Sequence, residues 1–258
     1  MTKNILLTIS YDGSGFHGWQ KQPGQKTVQG YLEETFSRLF NREILLSGTS
    51  RTDAGVHAFA QRASFKTDIS IPVERLAMVM NNALCGREKT SFGLSPVRIV
   101  DAVEMPDDFH ARFSCKGKEY IYKIKAGGPD ADSVFNRNYL YYVKGSLDVD
   151  KMDEAAKKLV GRKDFKSFEA SGGNPRETTV REIFEAGVIG KEDGIIEFHV
   201  SGDGFLYNMV RIMTGTLVEI GRGKYEPEYI ETITEACDRR LAGHTAPPFG
   251  LYLAKVFY

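Results

Sequence analysis

Apolar residues recur along this chain with two different periods. Near-alternating or continuously apolar runs, rich in β-formers, occupy Asn4–Ser10, Glu43–Leu46, Ala58–Phe65 and Val97–Glu104. They return at Lys118–Lys125, Val180–Ile189, Ile195–Val200 and Gly250–Tyr258. A period of two predicts strands. Between them the period lengthens to that of a helix. Val28–Phe40 places Leu32, Phe36, Leu39 and Phe40 on one face, and Pro72–Leu84 opens on a proline before grouping Leu76, Val79, Met80 and Ala83. Asp150–Val160 begins with acid and stops before Gly161. Tyr207–Ile220 repeats Val210, Met213, Leu217 and Ile220, then meets Gly221.

The N-terminal part therefore reads β-α-β-β-α-β, the split order of ferredoxin-like folds. From Lys118 onward the order is β-(β)-α-β-β-β-α-α-β, a looser version of the same theme. A diverged duplication fits the element order, although no residue-level repeat accompanies it. Ala126–Asn138, with Gly127, Gly128 and Pro129, reads as an exposed connection. The expected fold class is α+β, two halves sharing one continuous, mainly antiparallel sheet flanked by helices.

Composition narrows the function classes. The 34 Lys+Arg and 34 Asp+Glu of the 258 residues cancel to +0, so no global basic field announces a nucleic-acid partner, although local patches remain open. Hydrophobic residues at 41% exclude disorder as the main character. The apolar run in the first residues is too short for a signal-peptide core, and no run approaches the length of a membrane span. Cys85, Cys115 and Cys237 form no C-x-x-C pair, and an odd number argues against a disulfide framework. A cytoplasmic protein is expected.

Four segments carry candidate chemistry. Gly13, Gly15 and Gly18 spell G-x-G-x-x-G after an apolar strand, the dinucleotide-binding pattern. That pattern needs its last glycine inside a helix, and Pro23-Gly24 breaks any such helix. A glycine-rich turn supporting exposed Phe16, His17 and Trp19 is the better reading. In Ser47–Ala58, Arg51-Thr52-Asp53-Ala54-Gly55-Val56-His57 offers one carboxylate and one guanidinium beside a histidine. A lone carboxylate suits nucleophilic or acid/base work, whereas a metal wants several ligands. The same letters also make a good turn, with Asp capping its own backbone.

Phe109-His110-Ala111-Arg112-Phe113-Ser114 leads into Lys116, Lys118, Tyr120, Tyr122, Lys123 and Lys125. Five basic residues against Glu119 make Arg112–Lys125 locally about +4, and basic residues interleaved with aromatics suit an unstacked nucleotide. Lysines guarding an edge strand give the same pattern. Finally, Gly202–Arg211 leads from a strand into a helix, with Arg211 at the border of its apolar face. A surface arginine and a partly buried one paired with a carboxylate fit this spacing equally.

Together these segments resemble the tRNA pseudouridine synthase A family. The matching residues are Tyr11-Asp12-Gly13 through Phe16-His17-Gly18-Trp19-Gln20, Thr27-Val28-Gln29, and the highly specific Arg51–Ala58 block. Phe109–Ser114 with Tyr120, Asn208–Arg211, and Thr245-Ala246-Pro247-Pro248 with Gly250-Leu251 complete the set. The resemblance implies an isomerase converting uridine to pseudouridine at positions 38 to 40 of the tRNA anticodon arm. It also implies a homodimer, with no cofactor or metal. The fold it implies has two RRM-like halves, 1–105 carrying Asp53 and 106–258 carrying Tyr120 and Arg211, with the active-site cleft between them.

By the same resemblance Asp53 is the catalytic aspartate, Tyr120 the tyrosine against the target uracil, and Arg51 the arginine of base flipping. Arg211 pairs with the catalytic carboxylate, and His110 and Arg112 contact the RNA. Ser50 stands where the family often has glycine. A non-catalytic RRM-like RNA-binding module and a dinucleotide-binding oxidoreductase are the alternatives.

Overall fold

The computed structural model describes residues 2–88, 94–173 and 177–258. In chain order the elements begin with β1 (Lys3–Tyr11), α1 (Val28–Phe40), β2 (Ser47–Gly48), β3 (His57–Thr67), α2 (Val73–Glu88) and β4 (Val97–Met105). Then come β5 (Gly117–Ala126), α3 (Ser133–Asn136), β6 (Tyr141–Val143), α4 (Val149–Lys157), β7 (Gly161–Asp164) and β8 (Val180–Gly190). The last are β9 (Ile195–Gly202), α5 (Met209–Gly221), α6 (Tyr229–Ala236) and β10 (Leu251–Phe257). The class is α+β, with mainly antiparallel sheet flanked by helices; β5 and β6 pair in parallel. No described helix is long and apolar enough to cross a membrane.

The chain forms two compact units, Met1–Lys116 with Leu253–Tyr258, and Gly117–Tyr252. In the first, β1 runs antiparallel between β3 and β4, and β2 adds to β3. Its core includes Ile5, Leu7 and Ile9 of β1, Leu32 and Phe36 of α1, and Leu76, Met80 and Leu84 of α2, all at most 1% exposed. A helix seam at i, i+4 and i+8 is what a sheet-packed helix buries. In the second unit β9 lies antiparallel between β5 and β8, and β7 closes on β8. The three-strand orders β1-β3-β2 and β5-β9-β8 correspond, each with a helix following its first strand.

Three local expectations needed correction. Glu43–Leu46 is not a strand. The Ile44 N–H donates to Ser37 Oγ and the Leu46 N–H to Glu33 Oε1, so side chains of α1 take the bonds a neighbouring strand would otherwise accept. Pairing is confined to the two residues of β2. On α1 the buried face is Val28, Tyr31, Leu32, Thr35 and Phe36, while Leu39 is 37% exposed. Asn41 ends the helix in the left-handed conformation (φ 49°), so its last turn has no core to cover. Phe16 and Trp19, expected exposed, are 4% and 2% exposed. The Trp19 ring packs on Tyr11 at 6.0 Å and that of Phe16 on Tyr31 at 5.7 Å, leaving only His17 of the three at the surface.

Candidate active site

Asp53 lies in the loop between β2 and β3, and almost every neighbour in that loop is tied down. Thr49 receives the Ala111 and Tyr258 side of the unit: its Oγ1 is 2.9 Å from the Ala111 carbonyl and 2.8 Å from the Tyr258 hydroxyl. Ser50 is gripped by the fully buried Gln61 of β3. The amide Nε2 donates to the Ser50 carbonyl at 2.7 Å and Oε1 accepts from the Ser50 N–H at 3.2 Å. The Thr52 carbonyl accepts from Trp19 N at 3.0 Å, and its hydroxyl lies 2.7 Å from Tyr11 Oη. The Val56 N–H then closes a turn on the Asp53 carbonyl at 3.1 Å. Asp53 itself is half-buried and Arg51 is exposed. A backbone held at 49, 50, 52 and 53 presents these two side chains at small entropic cost.

The glycine pattern belongs to this same loop. A Cβ on Gly13 would sit 1.9 Å from the Val56 carbonyl oxygen, and one on Gly18 (φ 82°) 2.6 Å from that of Thr52. Only glycine lets residues 12–19 lie backbone to backbone against 52–56. Gly13–Gly15 form a single 3-10 turn, and no helix starts before Val28. That helix starts ten residues after Gly18, and its first two N–H groups are already taken by the Gly18 and Trp19 carbonyls, so none is left there for a phosphate and the dinucleotide-binding reading fails on geometry. His57 is buried, its Nδ1 accepting the Gly13 N–H at 3.1 Å, which makes it a support of the loop.

Residues 106–114 fold over the same unit. The Asn4 amide donates to the carbonyls of Pro106 and Phe109, both at 2.8 Å, and the Ala111 N–H donates to Ser64 Oγ at 3.1 Å. The His110 N–H donates to Ser114 Oγ, the Ser114 N–H returns to the His110 carbonyl, and the Arg112 N–H reaches His110 Nδ1. His110 is half-buried, whereas Arg112 and Phe113 project to solvent.

In the second unit Tyr120 lies on β5 opposite Val200, 8% exposed, its ring edge-on to Phe205 at 5.1 Å. On β5, Lys123 approaches Glu197 at 3.8 Å and Lys125 donates to the Asp193 carbonyl at 2.6 Å. At Ile124–Ala126 the strand has β6 on one side and β9 on the other, so a bare edge does not explain those lysines. Arg211 lies in the first turn of α5, whose burial is nearly complete: eleven of its thirteen residues are buried, and Arg211 and Glu219 are the exceptions. The guanidinium donates through Nε to the Ala246 carbonyl and through a terminal nitrogen to Asn208 Oδ1, both at 2.7 Å. Residues 243–247 run along the helix, Gly243 N–H on Thr216 Oγ1 and Ala246 N–H on the Arg211 carbonyl. Nearby, the Tyr122 hydroxyl donates to the Pro247 carbonyl at 2.5 Å. Burial pushes that phenol well above its ordinary pKa, with Arg211 pulling the other way.

Asp53, Arg51, His110 and Arg112 thus share the first unit, and Tyr120 and Arg211 the second. A family model described as tRNA pseudouridine synthase matches residues 7–114 and 155–258, which include Arg51, Asp53, His110, Arg112 and Arg211 but not Tyr120. The chain belongs to that family. Two relatives named tRNA pseudouridine synthase A 2, from Clostridium tetani and Clostridium perfringens, are 45% and 43% identical to it. The first alignment covers 100% of both chains, the second 99% of this chain and 100% of the relative. The tRNA pseudouridine synthase A of Caldicellulosiruptor bescii is 44% identical over 99% of this chain and 100% of its own.

Reading the sequence of this synthase missed Gln61, Tyr11 and Asn208 as parts of the site. Gln61 had one available signal, a polar residue alternating with Phe59, Ala63 and Phe65 along its β-run. Tyr11 and Asn208 sat inside the recognised motifs, but their partners are remote or conformational. Asn208 adopts the left-handed conformation (φ 58°), which no periodicity reports.

Proposed function

We propose that Asp53 is the carboxylate through which this synthase works on its RNA. The reaction is the conversion of uridine to pseudouridine in tRNA. The C1′–N1 bond breaks, the uracil turns, C5 joins C1′, and the proton lost from C5 is balanced by one gained at N1. No electron or group is added. Asp53 acts as nucleophile at C1′ or as base at the sugar while the uracil departs as an anion. The observation that carries this reading is the clamped loop: backbone bonds at 49, 50, 52 and 53 hold a carboxylate that is only half-buried.

The remaining roles follow from chemistry and resemblance. The target must leave its stack at a cost of roughly a few kcal/mol, and exposed Arg51 is suited to fill the space it vacates. Tyr120 stacks on the extruded uracil. Arg211, oriented by Asn208 and Ala246, keeps the Asp53 carboxylate charged. His110 and Arg112 contact the RNA. The substrate is the anticodon arm at positions 38 to 40, and the working form is a cytoplasmic homodimer.

Asp53→Asn tests the central claim, because Asn keeps the size and turn chemistry of Asp while removing the charge and the nucleophilic oxygen. The expected result is no pseudouridine in a tRNA transcript after long incubation, with tRNA binding and fold intact. Near-normal conversion would reduce Asp53 to a turn residue. A wild-type protein that binds tRNA but forms no pseudouridine would favour the non-catalytic binding module.

A further inference from the structure

Phe113 is 78% exposed, and nothing in the mechanism above uses it. A single apolar side chain at a surface is ordinary, and exposure alone says little. The setting is what distinguishes this one. The segment that bears it is pinned on both sides: Ala111 N–H on Ser64, Ser114 N–H on the His110 carbonyl, and the His110 N–H on Ser114 Oγ. The Ala111 carbonyl also accepts from Tyr258, whose ring in turn packs at 4.9 Å on Phe109. The His110 ring lies 4.4 Å from that of Phe113 with a 36° tilt, and the Arg112 guanidinium carbon is 5.7 Å from the Phe113 centroid. An aromatic ring is therefore held out in solvent with a cation and an imidazole beside it.

We propose that Phe113, flanked by Arg112 and His110, is a stacking platform for an unpaired nucleobase of the RNA substrate. The proposal rests on the reading of the chain as a tRNA-modifying enzyme and names a contact that reading does not contain. An aromatic face takes any base, because every base has a π-face, and an adjacent guanidinium supplies both cation–π attraction and a partner for the neighbouring phosphate. Such a platform selects single-stranded or loop nucleotides over paired ones, whose faces are already stacked. The loop carrying Asp53 meets this segment where Thr49 bonds the Ala111 carbonyl, so a base seated on Phe113 is fixed relative to the carboxylate within one unit.

The test uses the full chain with Phe113→Ala, Phe113→Leu and Phe113→Tyr, and a hairpin RNA of the anticodon arm beside a fully paired duplex. Dissociation constants are measured for both, and 2-aminopurine replaces each loop base in turn to report stacking by fluorescence quenching. Phe113→Ala and Phe113→Leu are expected to weaken hairpin binding by roughly 5- to 150-fold, the range one stacked base is worth. Phe113→Tyr should bind as the wild type does. Duplex affinity should stay unchanged, and quenching at one loop position should disappear with Ala and Leu. Leucine binding as tightly as phenylalanine would overturn the platform, since leucine keeps the apolar bulk without the π-face. So would a hairpin affinity insensitive to all three changes, or an effect confined to self-association in sedimentation. Conversion of uridine by the wild type, measured in parallel, separates this failure from that of the enzymatic reading: pseudouridine formed with no Phe113 effect sinks only the platform.

Discussion

Gln61 spends both ends of its amide on the backbone of Ser50, and Oε1 takes the Arg62 N–H at 3.1 Å as well. Its side chain continues the pairing with β3 just beyond the end of β2. Removing it would break both of these bonds at a residue only 3% exposed. A buried N–H or C=O costs about 1–3 kcal/mol when unsatisfied. Gln61→Met keeps the volume and removes every bond, so destabilisation of about 2–4 kcal/mol is expected from denaturant unfolding. If Gln61 also positions Arg51 and Asp53, kcat should fall well beyond the loss of folded protein while KM for tRNA stays near that of the wild type. A fall in activity that tracks only the folded fraction would make Gln61 purely structural.

The elements around the site are joined by contacts distant in sequence. Leu253–Tyr258, which includes most of β10, belongs to the first unit although it follows the whole of the second in sequence. Just beyond it, the Tyr258 hydroxyl reaches Thr49 at 2.8 Å and the Ala111 carbonyl at 3.0 Å, while the Phe257 carbonyl accepts the Lys116 N–H. Burial, the largest cause, pushes the Tyr258 phenol up to about 12, with its bond to Thr49 pulling the other way. The fold thus favours the neutral phenol. The stability this residue contributes is complete below its ordinary value near 10.0 and is lost as pH rises toward about 12. Tyr258→Phe should cost about 1 kcal/mol at neutral pH for the missing hydrogen bonds. It should also narrow the loss of stability between about pH 10 and about pH 12, which thermal unfolding of both proteins across that range would measure. Parallel alkaline curves for variant and wild type would show that the phenol does not couple to folding.

For the whole molecule, a net charge of +0 leaves RNA affinity to local charge, and Arg112–Lys125 is the basic stretch available. Binding to tRNA should weaken steeply with salt, and Lys116→Gln with Lys118→Gln should flatten that dependence if these lysines neutralise phosphates. An unchanged slope would leave them no role at the RNA backbone. Much of this was legible in the chain. Periods of two and near four located β1, β3, β4, β5, β8, β9 and β10 and helices α1, α2, α4 and α5, because a face buried against one layer leaves its repeat in the sequence. The Arg51–His57 block and the family it belongs to were equally readable, since turn chemistry and motif are local. Glu43–Leu46 has the propensity of a strand without being one, because its backbone partners are the side chains of Ser37 and Glu33, which strand propensity does not record. The burial of Phe16 and Trp19 is not legible in sequence, because a polar, glycine-rich context hides that those glycines admit another backbone at contact distance. The clamp by Gln61, the Ala246 carbonyl on Arg211 and the bond from Thr49 to Tyr258 could come only from the tertiary structure. Periodicity tells which side of an element is buried, whereas the partner that buries it is chosen by packing between residues far apart in the chain.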